Sequence, residues 1–333
     1  MATMRQYHLA AHPRGRRIED GDFRLVTVAR PVPGPGEALL KLRWLGFDPA
    51  QKGWMENFGD YVAPMAIGDV MRGTAIAEVV ESDNPELPVG SLYEGLLGWT
   101  EYCLSDGSGL TPVEPALPPV AMLSILGLPG LTAWHGLYEV GRPLAGDTVI
   151  VSGAAGATGS IVGQLAKVAG CRTIGIAGGP DKCRWLTEQA GYDIAIDYKA
   201  PDLAARLREA APKRADIVYD NIGGATLDAM LGVIATGARV VLCGGISRYE
   251  TGELPAGPAH YFNLVMRRAR MEGFIVLDQA RRFPAMRARL RELALSGRLI
   301  WQIDEQTGFE NAPATLCRLF DGSNRGKQVL RLD

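Results

Sequence analysis

A glycine-rich turn sets the strongest limit on the fold of this chain. The run TVIVSGAAGATGSIVGQLAKVAG at 148–170 passes from an apolar strand pattern through Gly153, Gly156 and Gly159 into an amphipathic helix pattern. Glycines let the backbone turn sharply and approach a pyrophosphate, whose charge is stabilised by free amides at a helix N-terminus. The G-x-x-G-x-x-G spacing departs from the G-x-G-x-x-G pattern of dinucleotide-binding folds. We predict a dinucleotide site here, and an ordinary strand-to-helix turn is the alternative.

The sequence around this turn has the pattern of a parallel sheet with crossover helices. Six apolar runs separated by amphipathic stretches fit a complete doubly wound fold: DTVIVS, RTIGIA, IAIDY, DIVYDN, ARVVLCG and MEGFIVL. We predict an α/β Rossmann domain at 123–299. Before it, short β-rich runs alternate with Pro and Gly turns, which is typical of a β-barrel. We assign this β-barrel domain to 1–122 and expect 300–333 to complete it.

Composition excludes several classes of partner. The 333 residues carry a formal net charge of −2 and only 22% are charged, so no basic surface for nucleic acid is indicated. The opening residues lack the apolar core of a signal peptide, and no apolar run approaches the length of a membrane span. The five scattered cysteines suit reduced thiols. We expect a cytoplasmic protein that acts on a small molecule, with neither nucleic acid nor membrane as a partner.

The second strand of the predicted sheet indicates which nicotinamide nucleotide binds. An NAD site usually has an acidic residue at the end of this strand, where it binds the adenosine ribose hydroxyls. Here RTIGIA is followed by Gly178 and Gly179, and Lys182 begins the next helix, where its charge would attract a 2′-phosphate. We therefore predict NADPH as the cofactor. Asp181 complicates this reading because it can cap the helix or partly neutralise Lys182.

The sequence indicates no metal site. Catalytic zinc needs Cys, His and acidic ligands, and structural zinc often uses four closely spaced cysteines. The four histidines read as surface or packing residues: His8, His12, His135 and His260. Without zinc, a developing oxyanion must be stabilised by hydrogen bonds or solvent. This favours reduction of a conjugated alkene over metal-assisted alcohol oxidation.

Several motifs together resemble one family along nearly the whole chain. They are GLPGLTAWHGLYEVGRPLAGDTVIVSGAAGATGSIVGQLAKVAG, AGGPDKC, IDYK, DNIGG, CGGISRY, MEGFIVLD, GFENAP and GSNRGK. In combination they resemble the medium-chain dehydrogenase/reductase superfamily, and within it the zinc-independent prostaglandin, curcumin and plant alkenal double-bond reductases. The resemblance implies a GroES-like barrel and a Rossmann domain, with the active site in the cleft between them.

The resemblance also implies cofactor contacts at the carboxyl ends of the predicted strands. The pyrophosphate would meet Gly156, Ala157, Thr158 and Gly159, and the adenosine phosphate would meet Gly179, Lys182 and Tyr198. The remaining contacts, which border the nicotinamide end and complete the cleft, would be Asn221, Cys243, Gly244, Ser247, Tyr249, Phe274, Val276 and Asn324. Asn221 can instead end its strand through an Asx turn, and Phe274 and Val276 can be strand-packing residues.

Tyr249 is the candidate for chemistry. In the reductases that this chain resembles, a tyrosine at the corresponding position lies beside the substrate carbonyl or is proposed to supply a proton. A phenol can donate a hydrogen bond to an enolate. Packing within a loop is the alternative for this residue.

The substrate side departs from the family pattern. Where many members read D-P-Y-M-R, this chain has Asp48-Pro49-Ala50-Gln51-Lys52, so a tyrosine that often lines the pocket is absent. We expect Asp48, Tyr61 and Tyr261 to contribute to an altered substrate pocket, with core packing as the alternative for each aromatic residue.

These features predict a zinc-independent, NADPH-dependent reductase of the C=C double bond of α,β-unsaturated carbonyl compounds. A quinone oxidoreductase and a zinc-independent alcohol dehydrogenase remain alternatives on the same scaffold. A non-catalytic NADPH-binding structural or sensor protein is an alternative of another class. The run MEGFIVL reads as a sheet edge, whose pairing with a second copy would form a homodimer.

Overall fold

A computed structural model describes residues 2–59, 61–249 and 256–332 of the chain. The chain divides into two compact units, one formed by 1–123 with 303–333 and the other by 124–302. In chain order the strands are Thr3–Leu9 (β1), Phe23–Ala29 (β2), Ala38–Gly46 (β3), Ala75–Ser82 (β4), Leu92–Gly95 (β5), Tyr102–Ser105 (β6), Thr111–Pro112 (β7), Thr148–Val151 (β8), Arg172–Ala177 (β9), Ile194–Asp197 (β10), Ala215–Asp220 (β11), Ile234–Leu242 (β12), Arg270–Gly273 (β13), Ile303–Thr307 (β14) and Lys327–Arg331 (β15).

The α-helices are short and lie mostly between the parallel strands. They are Ala50–Glu56 (α1), Leu128–Trp134 (α2), Ala157–Val168 (α3), Pro180–Glu188 (α4), Leu203–Ala210 (α5), Gly224–Leu231 (α6), Asn263–Met266 (α7), Phe283–Leu295 (α8) and Ala312–Asp321 (α9). A π-helix at His135–Gly141 continues α2, and 3-10 turns include Ile246–Arg248, Ala259–Phe262 and Val276–Arg282.

The first unit is built mainly on antiparallel strands, and β14 and β15 pair in parallel at one edge of its larger sheet. Its larger sheet has the order β14-β15-β3-β4-β5-β7, with β6 also paired to β3, and β1 and β2 form a separate hairpin sheet. The core is aromatic at its centre: Phe23 stacks on the fully buried Trp99 at 5.3 Å, and Phe47 meets the same indole edge-on at 5.2 Å. The C-terminal segment belongs to this unit because β15 pairs with β3 and Phe309 packs against Tyr7.

The second unit is a doubly wound parallel sheet. Its strand order β10-β9-β8-β11-β12-β13 corresponds to 3-2-1-4-5-6 in order along the chain, the arrangement of a dinucleotide-binding Rossmann fold. The order reverses between β8 and β11, so the carboxyl ends of these two strands define the crevice where ligands bind in such sheets. The predicted α/β class with a Rossmann sheet and a second, β-rich unit is therefore confirmed.

The central strands are apolar because helices cover both faces of the sheet. All four residues of β8 are buried, and Ile150, Ile174 and Val218 belong to one core cluster. Helix α3 turns Ile161 and Leu165 into the core, at the four-residue spacing that places side chains on one face.

The last predicted strand is shorter than its apolar pattern. We expected the strand MEGFIVL to run to Leu277, but β13 ends at Gly273 and Val276 begins a 3-10 turn. The reason is the partner: β12 ends at Leu242, which pairs with Gly273. Beyond that point Phe274 and Val276 are partly buried without a strand ladder, and Ile275 is exposed. No helix within the described parts of the chain is both long and apolar enough to cross a membrane.

Candidate cofactor and active site

The glycine-rich turn forms a backbone cradle at the carboxyl end of β8. Gly156 is the N-cap of α3, and Ser160 donates the first intrahelical bond to the Gly156 carbonyl at 3.1 Å. Ala157, Thr158 and Gly159 precede Ser160 in the first turn of α3, where backbone N–H groups have no carbonyl acceptor within the helix. These donors and the helix dipole suit a pyrophosphate.

Gly159 allows this cradle to close. A Cβ at this position would lie 2.4 Å from the Gly153 carbonyl oxygen and 2.9 Å from the Ala154 Cα, so the turn packs directly on the helix backbone. The Tyr192 hydroxyl donates to the Gly159 carbonyl at 2.6 Å from a fully desolvated position, which raises the pKa of this phenol. The structure therefore fits the predicted dinucleotide site with a rigid, pre-formed turn.

A buried carboxylate organises the adjacent end of β11. Asp220 is wholly buried and accepts hydrogen bonds from Ser152 Oγ at 2.6 Å, from the Ile222 amide at 3.1 Å and from the Gly223 amide at 2.8 Å. Burial raises the pKa of this carboxyl, and the three donors oppose that effect. Asp220 therefore fixes the loop after β11 to the end of β8.

Asp220 and Ser152 were not predicted from the sequence. The Asx turn considered for Asn221 is instead made by Asp220, which accepts from the amide two residues later. Asn221 uses its side-chain amide to donate to the Ser152 carbonyl at 2.7 Å, which joins the two strand ends. A pair of short polar residues directly after a buried strand was the signal that could have found Asp220.

The segment 243–249 lies against this same loop. The Cys243 amide donates to the Asp220 carbonyl at 2.8 Å, and Ser247 donates through both its amide and its hydroxyl to the Ile222 carbonyl. The Gly244 amide also reaches the Asp220 carbonyl, at 3.2 Å. Tyr249 follows the 3-10 turn 246–248 and is half-buried. Asn221, Cys243, Gly244, Ser247 and Tyr249 are thus brought to one end of the sheet.

The Cys243 thiol is held in its neutral form. Its burial raises the pKa to about 12, against the lowering effect of a hydrogen bond with the Tyr219 hydroxyl. A thiol with so high a pKa is a poor nucleophile at neutral pH. The site therefore contains a sulfur that contributes packing rather than covalent chemistry.

The residues predicted to bind the adenosine phosphate lie near the carboxyl ends of β9 and β10. The Gly179 amide donates to Asp197 Oδ1 at 2.8 Å, which is the main cause of the lowered pKa of Asp197. The Tyr198 ring and the side chain of Lys199 lie beside Gly178. Lys182 is half-buried in the first turn of α4.

Two further charged groups affect the predicted adenosine end of the site. Asp181 pairs with Arg184 at 3.4 Å, so its carboxylate has a guanidinium partner one turn along the helix. Lys199 adds a cation that the sequence analysis did not consider, although it follows Tyr198 directly. The two lysines on neighbouring elements suit a phosphate monoester better than a neutral ribose.

Phe274 turns its side chain into the unit. Its ring lies 5.2 Å from the His135 ring at an interplanar angle of 60°, in an edge-to-face contact. The side chain thus packs against the helix that precedes β8, in agreement with the packing alternative. Val276 opens the 3-10 turn 276–282 and is also half-buried.

The predicted substrate residues divide between the two units. In the first unit, Asp48 Oδ1 accepts from Lys327 Nζ at 2.6 Å, and this fully buried lysine also donates to the Phe47 carbonyl at 2.9 Å. The Tyr61 hydroxyl accepts from the Trp54 indole at 3.0 Å. In the second unit, Tyr261 is 60% exposed in the 3-10 turn 259–262.

Two other polar residues of the first unit have structural partners. Lys52 is fully buried and donates to Glu56 at 2.5 Å and to the Pro13 carbonyl at 3.2 Å. Asn324 donates to the Gly326 carbonyl at 3.0 Å and so closes the turn before β15. No group of three or more His, Cys, Asp or Glu side chains within 2–59, 61–249 and 256–332 is arranged to hold a metal ion.

Comparison with known proteins identifies the family. Two family models match: one described as the N-terminal domain of oxidoreductase over 5–113, and one described as zinc-binding dehydrogenase over 157–292. The NADPH-dependent curcumin reductase of Escherichia coli is 37% identical over 334 residues, which cover 98% of this chain and 96% of that protein. The chain belongs to the medium-chain dehydrogenase/reductase superfamily.

Further members of this superfamily match over nearly the whole chain. The NADP(+)-dependent 2-alkenal reductase of Nicotiana tabacum is 36% identical, with 93% of this chain and 92% of that protein covered. The crystal structure of CurA from Vibrio vulnificus in complex with NADPH has a TM-score of 0.93 at 37% identity, with 99% of both chains covered. The family resemblance noted in the sequence is thereby confirmed, including its reductase group.

Proposed function

We propose that this protein is a zinc-independent, NADPH-dependent reductase of the C=C double bond of α,β-unsaturated carbonyl compounds. The similarity over nearly the whole chain to a 2-alkenal reductase and to a curcumin reductase carries this proposal. The cradle at 156–159 and the cationic adenosine end supply the physical support, because both suit a dinucleotide with an additional phosphate.

The residues of this chain would bind the cofactor along the carboxyl edge of the sheet. The amides of 157–159 would hold the pyrophosphate, and Lys182, Tyr198 and Lys199 would hold the 2′-phosphate end. Loop 221–224, which Asp220 fixes, and segment 243–249 would border the nicotinamide. Bound NADPH supplies the hydride. Since Asp220 and Ser152 are already hydrogen-bonded, the site is organised before the cofactor arrives.

Tyr249 is the residue we assign to the chemistry of the substrate. When hydride adds to the β-carbon, the π electrons of the C=C bond move toward the carbonyl oxygen and an enolate develops. The Tyr249 hydroxyl would donate a hydrogen bond to that oxygen, and the α-carbon would take its proton from this phenol, from solvent or from a cofactor hydroxyl. Orientation and exclusion of water would provide most of the rate enhancement.

The substrate pocket would differ from that of relatives with a D-P-Y-M-R segment. Asp48 would contribute as a positioned carboxylate, since Lys327 fixes it, and Tyr61 and Tyr261 would contribute aromatic surface. The alanine at position 50 leaves more room than a tyrosine would, so we expect acceptance of bulkier or differently shaped enones.

We also propose a cytoplasmic homodimer. β13 is an edge strand of the sheet with all four residues exposed, and the nearby Phe262, Val265, Met266 and Ile275 add exposed apolar surface. A second copy pairing along this edge would cover both. Light scattering after size-exclusion chromatography should give the mass of a dimer, and a monomer would refute this part. The free cysteines suit a reducing compartment.

The function is tested by following NADPH and NADH oxidation against enals, enones, quinones and aldehydes, with product identification. We expect saturated carbonyl products and a preference for NADPH. Turnover of quinones alone or aldehydes alone would refute the reaction assignment. Tight NADPH binding without turnover of any electrophile would instead indicate a non-catalytic sensor. Tyr249→Phe should lower kcat with little change in the Kd of NADPH.

A further inference from the structure

A buried histidine lies beneath the segment that follows β13. His135 begins the π-helix 135–141, and its side chain is only 7% exposed. Within the described parts of the chain, its Nδ1 atom has no hydrogen-bond partner. A polar atom buried without a partner costs free energy, so the favourable contacts of this side chain are those that its ring makes.

The contacts of this histidine lead toward the proposed nicotinamide end. Its ring meets Phe274 edge-to-face at 5.2 Å. The next residue, Gly136, lies so close to the sheet that a Cβ there would be 2.5 Å from Tyr219 Oη and 2.8 Å from Phe274 Cζ. Tyr219 in turn donates to the Thr132 carbonyl at 3.0 Å. One compact cluster therefore joins the helix 128–141, the end of β11 and the residue after β13.

This cluster fixes a stretch of backbone that the sheet no longer holds. The ladder between β12 and β13 ends at Gly273, so the direction of 274–276 depends on where the Phe274 side chain is seated. The next residue after Tyr219, Asp220, accepts from the Cys243 amide at 2.8 Å through its carbonyl, so the same cluster reaches the start of segment 243–249. In the proposed function segment 243–249 borders the nicotinamide, and the family resemblance implies that Phe274 and Val276 complete the same cofactor cleft.

We propose that His135 is a positioning residue for the nicotinamide half of NADPH, acting as a neutral imidazole that seats Phe274 and thereby the 274–276 backbone. This inference rests on the proposed binding of NADPH. It does not rest on which electrophile the enzyme reduces.

The charges around His135 favour its neutral form. Burial is the largest effect and lowers the pKa of the imidazole; Arg282 lowers it further, whereas Glu139 and Glu272 raise it. These groups lie on the π-helix itself, on β13 and on the 3-10 turn 276–282. As pH falls through the lowered pKa of His135, which lies below the ordinary histidine value of about 6.5, protonation would place a cation against Phe274 and loosen the cluster.

The test compares His135→Ala and His135→Phe with the wild type, and uses His8→Phe as a control on a histidine of the other unit. Kd values are measured for NADPH and for 2′,5′-ADP, which carries only the adenosine half. His135→Ala should weaken NADPH about three- to tenfold, the range expected for one aromatic contact. Its Kd for 2′,5′-ADP should stay within twofold. His135→Phe, which keeps the ring, should restore NADPH affinity at pH 8.

The pH dependence gives a second readout. Between pH 8 and pH 5 the wild type should lose more NADPH affinity than His135→Phe, while the 2′-phosphate titrates equally in both. Unchanged NADPH affinity in His135→Ala would overturn the inference, as would an equal loss for 2′,5′-ADP. A wild type that binds NADPH but reduces no enone would refute the proposed reaction and leave this inference standing. A wild type that binds no NADPH would refute both.

Discussion

Replacing Gly159 by alanine tests whether the turn at 153–159 is the pyrophosphate site. The added methyl group would lie 2.4 Å from the Gly153 carbonyl oxygen and 2.9 Å from the Ala154 Cα, whereas ordinary contact begins at 3.4 Å. Both neighbours are backbone atoms, so no side chain can move aside. The turn and the helix must therefore separate by roughly 1 Å, the difference between these distances.

The two expected costs differ in size. Overpacking destabilises a fold by about 1–3 kcal/mol, and the helix propensity of alanine returns about 1 kcal/mol of that. The free energy of unfolding should thus fall by about 0–2 kcal/mol. A shift of about 1 Å takes amide donors beyond hydrogen-bond distance of the pyrophosphate, and each lost hydrogen bond to a charged group costs about 1.5–3 kcal/mol, or roughly 10- to 100-fold in affinity. Cofactor affinity should therefore suffer more than stability.

Isothermal titration calorimetry with NADPH, together with urea unfolding, measures both quantities. Gly21→Ala is the matched control, because a Cβ there meets no atom of the described residues within 4 Å. The control should keep wild-type affinity and stability. A folded Gly159→Ala protein with wild-type NADPH affinity would refute the placement of the pyrophosphate.

Three further predictions concern polar groups at the strand ends. Ser152→Ala removes the hydroxyl that donates to buried Asp220. Because the carboxylate loses a partner, the free energy of unfolding measured in urea titrations should fall by about 1–3 kcal/mol. An unchanged urea midpoint would contradict this role of Ser152. The pKa of Asp197 is lowered, chiefly because the Gly179 amide donates to its carboxylate. Its contribution to stability is therefore present above the ordinary pKa of 3.8 and is lost as pH falls through the folded value. Asp197→Asn should make the free energy of unfolding less dependent on pH below about 4, and parallel plots of that free energy against pH for the two proteins would argue against it. The Cys243 pKa of about 12 leaves a thiolate fraction on the order of 10⁻⁴ to 10⁻⁵ at neutral pH. Mass spectrometry should therefore show that iodoacetamide alkylates this thiol slowly in the folded protein and fast in urea. Rapid labelling of the folded protein would show that the thiol is not held neutral.

The sequence predicted the architecture because the signals for a parallel sheet are local. Apolar runs such as TVIV and the glycine turn that follows them specify strand, turn and helix within one short segment. The length of β13 could not be predicted in this way. It depends on where β12 ends, and that is a property of the pairing rather than of the apolar run itself.

The site was predicted less completely for the same reason. The glycine turn is recognisable because the geometry of each glycine follows from its own neighbours in the chain, and Lys182 was predicted in the same local way. By contrast, Asp48 and Lys327 form their pair at a separation of 279 positions along the chain, and Ser152 and Asp220 form theirs at a separation of 68. Such contacts are set by the folded sheet, so spacing along the chain carries no signal for them.

Transfer of deuterium from specifically labelled NADPH to an enone tests the central claim most directly. The account predicts that nuclear magnetic resonance will find the label at the β-carbon of a saturated carbonyl product, and that solvent supplies the hydrogen at the α-carbon. Label at the carbonyl carbon of an unsaturated alcohol would contradict the account, because it would show reduction of the C=O bond. Absence of transfer to any enone would contradict it as well.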